Sequence, residues 1–203
     1  MHKTKTIIAL LTIAALLCSC SRKEETEYCT DPVCVLSFQP YDDISERDVE
    51  KLSSTVKEKV EDIANVSVLE VRILPNKKLD NTLLNDNKTR YSAKKILEKQ
   101  QSYITKKHEI IIGLTNKDIS APVRGINDWG IQGLSFMGSN VCVVSTYRIA
   151  KNVPLWKPII HEFIHTFWNM PHCPADNPKC LMQDGHGNPK WGIKNDLCQS
   201  CKI

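Results

Sequence analysis

His161-Glu162-Phe163-Ile164-His165 sets two imidazoles four residues apart with a carboxylate between them. On a helix, residues four apart share one face a turn apart, so both histidines can reach a single metal ion. Glu162 is rotated away from that face. It can address a water on the metal without being a ligand. A zinc ion that does chemistry takes three protein ligands and keeps its fourth position for water. His172 is the obvious third ligand, delivered by the turn through Asn169-Met170-Pro171. Such a set could hydrolyse a carbonyl compound, with Glu162 as general base and the metal polarising the bond to be cut. The competing explanation is a chance HExxH on an amphipathic helix with surface histidines.

Beside the histidines lie four cysteines: Cys173, Cys180, Cys198 and Cys201. The last two form a CxxC knuckle, and four cysteines in pairs suit a closed, tetrahedral, structural zinc site. Two disulfides are the alternative in an oxidising compartment. Of the other cysteines, Cys142 sits in an apolar run and is expected in the core. Cys29 and Cys34 enclose Thr30-Asp31-Pro32-Val33, and a small disulfide and free thiols are both open to them.

These groups need elements to hold them. Ser45-Glu46-Arg47-Asp48 predicts a helix start, and Val49, Leu52, Val56, Val60 and Ile63 continue it at helical spacing over about 45–63. Val66 to Leu74 alternates as a strand. The stretch 77–90 is polar and expected as loop. Ser92 opens a second helix with Ala93, Ile96, Leu97, Gln100 and Ile104 along one side. Glu109 to Leu114 is a short apolar run of the kind a buried strand needs. A loop is expected next, and then strands at Ile131–Met137 and Val141–Ser145, turned by Gly138-Ser139-Asn140. Pro154, Pro158 and the apolar residues after them introduce the helix of the histidine motif. Alternating helices and strands imply an α/β fold, a twisted mixed sheet with helices packed on it. The Cys-rich end has little apolar material and needs a staple.

The 203 residues leave room for one ordinary domain and a leader. Lys3, Lys5 and a dozen nearly apolar residues form a signal-like segment too short to span a bilayer. It runs into Leu17-Cys18-Ser19-Cys20, which resembles a bacterial lipobox with Cys20 as the lipidated residue; a plain signal cut near Ser19 is the alternative. The expected organisation is a signal peptide over 1–19, a lipid-anchored tether over 20–43 and a catalytic domain over 44–203. The chain would then sit in the bacterial cell envelope, on either membrane leaflet, held by its lipid and not by a span. A net charge of +4, spread among acidic residues, gives no reason to expect nucleic acid as a partner. A monomer acting on a peptide or protein is expected.

The order His161-Glu162-x-x-His165, Pro171-His172-Cys173, Cys180-Leu181-Met182 and Cys198-x-x-Cys201 resembles the archaemetzincins, whose pattern is HExxHxxGxxHC, CxM and CxxC. Upstream, Thr89 to Ala93, Gly113 to Ile119, and Gly133 with Val141 to Arg148 resemble that family's earlier segments in the same order, so the resemblance runs over about 66–201. It implies a compact metzincin-like domain and metallopeptidase activity. It also implies one catalytic zinc on the three histidines, one structural zinc on the four cysteines, and Met182 as the methionine turn beneath the catalytic metal. An extended peptide substrate would pair with an exposed strand edge, for which Gly133 to Met137 is the candidate.

Three spacings depart from the pattern. Trp168 stands where the family has glycine, and six residues instead of five separate His165 from His172. Cys173 and Cys180 are separated by six residues instead of four, and fifteen instead of about seventeen separate Met182 from Cys198. A glycine there lets the helix end in a left-handed turn. Asn169 is the best non-glycine residue for that conformation, so one extra helical residue followed by Asn169 repairs the geometry, with Trp168 packed under the helix end. If the repair fails, the alternative is a lipid-anchored, non-catalytic zinc protein that binds without turnover.

Overall fold

The computed structural model describes residues 32–203. The leader, Cys20 and Cys29 lie outside the described residues. The first described element corrects the expected boundary. Val33–Pro40 is strand β1, inside the stretch read as tether, and seven of its eight residues are buried. It begins the folded domain ahead of residue 44. The run Val33 to Gln39 between Pro32 and Pro40 is apolar except for Ser37 and Gln39, because β1 has a strand on each side and is covered on both faces.

Helix α1 follows at Glu46–Ile63, where the Ser45 side chain accepts from the Asp48 N–H at 3.1 Å. Strand β2 is Ser67–Ile73, β3 the short Tyr91–Ser92, and α2 Ala93–Gln101, capped by Ser92. Strand β4 is Glu109–Thr115. Strands β5, Ile119–Val123, and β6, Ile126–Ile131, form an antiparallel hairpin where a loop was expected. Its tip is Arg124-Gly125, both at positive φ (50° and 82°), the backbone a two-residue hairpin turn demands. Strand β7 is Gly133–Ser135, shorter than expected, and β8 is Val141–Ser145. Helix α3, Trp156–Trp168, carries the histidine motif.

The main sheet has the order β2-β1-β4-β8-β7; every neighbouring pair is parallel except β7 with β8. β7 is an edge strand. Side chains alternate across the sheet. Ile110, Ile112 and Leu114 of β4, with Cys142 and Val144 of β8, pack with α1 and α3. Ile111, Val141 and Val143 point the other way, to Ala93, Ile96 and Leu97 of α2. Cys142 is core, as expected, and so is Cys34, whose thiol burial pushes up to about 12.

Ten successive residues of α3, Lys157 to Thr166, are buried. A helix buried nearly all round is an interior helix, and α3 lies under β8 with β7 at its side. Among the described residues no helix is long and apolar enough to cross a membrane.

Candidate metal centres and the cleft

His161 and His165 lie one turn apart on α3, both buried. A backbone carbonyl fixes each ring: Leu181 O is 2.8 Å from His161 Nδ1, and Met170 O is 2.5 Å from His165 Nδ1. A carbonyl only accepts, so each Nδ1 carries the proton and each Nε2 offers a lone pair. The two Nε2 atoms face each other at 3.2 Å. Two imidazole nitrogens bound at about 2.0–2.1 Å on a tetrahedral zinc stand roughly 3.3 Å apart, so the donor pair fits that ion.

Helix α3 stops at Trp168. Asn169 takes the left-handed conformation, φ 52° and ψ 28°, the turn expected of it. Trp168 closes the helix end, its indole Nε1 donating to Ala64 O of α1's cap at 2.8 Å. The chain then returns His172 to the other two rings, with centroids 4.7 Å from His165 and 5.3 Å from His161. One donor atom from each histidine lies within 4.8 Å of the others. His172 is the exposed member.

Burial lowers the proton affinity of all three, that of His165 to about 4, so the rings are neutral donors near pH 7. Glu162 is buried too. Burial pushes its carboxyl up to about 8, only partly opposed by a hydrogen bond with Ser135. A divalent cation on the histidines would pull that value down again. Its carboxylate lies against Gly133 of β7, where a Cβ would stand 2.6 Å from Glu162 Oε1. Only glycine leaves this room.

Cys173, Cys180, Cys198 and Cys201 form a second cluster, their sulfurs all within 4.8 Å of one another. Three are buried and Cys198 is half-buried. Cys173 Sγ and Cys198 Sγ are 3.5 Å apart, too far for a disulfide bond. Two disulfides would pair the sulfurs two and two; four converging sulfurs suit one tetrahedral ion. Backbone N–H groups of Cys198 and Met182 point at Cys180 Sγ, and that of Ser200 at Cys198 Sγ. Such donors stabilise thiolate charge.

The two clusters share backbone. Leu181, whose carbonyl fixes His161, stands between Cys180 and Met182, and Cys173 N donates to Met182 O at 2.8 Å. Met182 is fully buried in the same core.

The histidines and Glu162 open into a cleft of about 700 Å³. One wall is β7 with the β5–β6 hairpin; the other is the segment after Met182. Sequence reasoning missed this second wall. Trp191 sits edge-on to His161 at 5.9 Å and donates to Gln132 Oε1 at 2.7 Å. Lys157, one turn before His161, holds Trp191 O at 2.7 Å, and buried Lys194 lies 5.0 Å over the Trp191 ring. Nothing local in the sequence links Trp191 to Gln132, Lys157 or His161.

No family model and no curated protein sequence matches the chain. Among solved structures, the crystal structure of archaemetzincin from Methanopyrus kandleri matches with a TM-score of 0.63 and 21% identity, over 83% of this chain and 91% of that one. The chain has an archaemetzincin-like fold, a mixed α/β sheet with packed helices whose histidine and cysteine clusters are both suited to zinc.

Proposed function

We propose that the chain is a zinc-dependent metallopeptidase, with one zinc on His161, His165 and His172 and a structural zinc on Cys173, Cys180, Cys198 and Cys201. The observation that carries the reading is the pair of facing Nε2 atoms with a buried carboxylate beside them on one cleft. A structural site has no use for that carboxylate. A zinc ion on the three histidines would bring water's pKa toward 7 and polarise the scissile carbonyl.

The chain's own residues would do the rest. Glu162 accepts a proton from the attacking water at a carboxylate oxygen and delivers it to the nitrogen of the departing amine. A C–O bond forms and the C–N bond breaks. Leu181 O and Met170 O keep the two helix histidines in the tautomer that presents Nε2. The free edge of β7 offers N–H and C=O groups to an extended peptide. Met182 would support the histidine centre from below, as a methionine turn.

Location belongs to the same proposal: lipidation at Cys20 would hold a monomeric domain on the cell envelope. Replacing Cys20 by Ser should release the protein from membranes, whereas Cys18→Ser should not. Equal membrane association of wild type and Cys20→Ser would reject the anchor. The activity is tested by profiling cleavage of a peptide library with purified protein, with and without a chelator. Chelator-sensitive cleavage is expected, and a metal-loaded protein that cuts nothing would favour a binding role.

A further inference from the structure

The cleft is closed at one end. Beyond the Gly133 end of β7 its two walls meet three times. Trp191 bonds Gln132 at 2.7 Å. The ring of Trp129 lies so close over Gly187 that a Cβ there would stand 3.2 Å away. At the hairpin tip, an Arg124 guanidinium nitrogen is 2.9 Å from His186 Nδ1. An extended chain following β7 in that direction meets a blind pocket and must end in it.

The pocket's chemistry indicates which end of a peptide fits. Its surface is partly apolar: Ile126 and Trp129 are 49% and 38% exposed, large side chains left uncovered along the cleft. Its charged groups are unequal. Asp184 is near enough to feel Arg124, and one of its oxygens accepts from His186 N at 2.9 Å; His186 Nδ1 accepts from Arg124 and so gives the other oxygen no proton. Among the described residues, Arg124 and Lys194, both lining the cleft, form no ion pair with a carboxylate. Two cations against the single carboxylate of Asp184 favour an anion over an ammonium.

We propose that the blind end of the cleft binds the C-terminal carboxylate of a peptide carrying an apolar last residue, with Arg124 as the residue that selects it. The proposal rests on the reading of the cleft as the peptide site. It makes the protein a trimmer of chain ends, releasing a short C-terminal piece.

The test is calorimetric binding to zinc-loaded, full-length protein carrying Glu162→Gln, so that nothing is turned over. Three acetylated tetrapeptides serve as probes: one ending in leucine as the free acid, its amide, and the amide with glutamate in the last position. The free acid should bind about tenfold or more tightly than either amide, the scale of one hydrogen bond to a charged group. Arg124→Gln should shrink that advantage to about threefold or less, and Arg124→Lys should keep most of it. Equal binding of acid and amide would overturn the proposal. So would an advantage that survives Arg124→Gln, which would put the carboxylate on the metal. A glutamate amide binding as well as the free acid would overturn the chain-end assignment in favour of an acidic side chain. If wild-type protein cuts none of these peptides while the pattern holds, the hydrolytic reading fails and the carboxylate pocket stands.

Discussion

The histidine and cysteine clusters lie on either side of Leu181 and Met182, yet they are built in opposite ways. Two histidines stand on a buried helix, each ring fixed by a backbone carbonyl, while the third is exposed and faces a cleft. The four cysteines stand on loops with no such opening, and backbone N–H groups converge on their sulfurs. A rigid element with an open face is what a reacting ligand needs. A closed set of soft donors is what a staple needs. Proximity to a metal does not by itself distinguish a site that reacts from one that holds.

That contrast can be broken by experiment. The largest effect should come from Glu162→Gln, which should retain both metals and cut peptide hydrolysis by about two to four powers of ten. Full activity in a correctly metallated variant would remove the general base from the reading. Next is Cys198→Ser, which should empty the cysteine centre and loosen residues 173–203, seen as rapid amide exchange there. Because Leu181 O fixes His161 beside Cys180, and Cys173 adjoins His172, histidine-centre affinity should fall as well. His172→Ala should act on one side only, weakening the first metal while elemental analysis still finds the second.

A subtler effect is expected from pH on the metal-free protein. Burial holds His165 near 4 in the folded chain against about 6.5 unfolded, so its contribution is present above 6.5 and lost as pH falls toward 4. Glu162 is held near 8 against about 4.5 unfolded, so its contribution is present below 4.5 and lost as pH rises through 8. Denaturation of the metal-free protein should therefore show an optimum between these flanks, and Glu162→Gln should flatten the alkaline one. An unchanged alkaline flank would mean that Glu162 is not protonated in the fold. The smallest effect is Trp168→Phe, which removes the indole bond to Ala64 O and should cost about 1 kcal/mol, read from a denaturant midpoint.

Much of the histidine site was legible because it is local. One helical turn brings His161 and His165 together, and a left-handed residue brings His172 back. The caps at Ser45 and Ser92 were legible for the same reason. β1 was missed because a fully buried parallel strand need not alternate along its length, and its mostly apolar run lay ahead of the first helix signal. The β5–β6 hairpin was missed because β6 carries Asn127, Asp128 and Gly130, poor strand formers, and its turn uses arginine in place of asparagine or aspartate. The second wall of the cleft is fastened through Trp191 by contacts across thirty to sixty residues. No window of sequence contains them.

The left-handed Asn169 bears on how much variation in spacing such a cluster tolerates. Asn169 precedes His172 by three residues, the same interval that separates the glycine from the last histidine in HExxHxxGxxH. The additional residue falls within the helix, before the stop. Helix length and ligand return are therefore separable traits: drift can lengthen the first without disturbing the second, provided a residue tolerant of positive φ moves with the stop. The count of residues between the histidines alone therefore does not decide whether they converge. The interval from the stop to the last histidine is what the geometry requires.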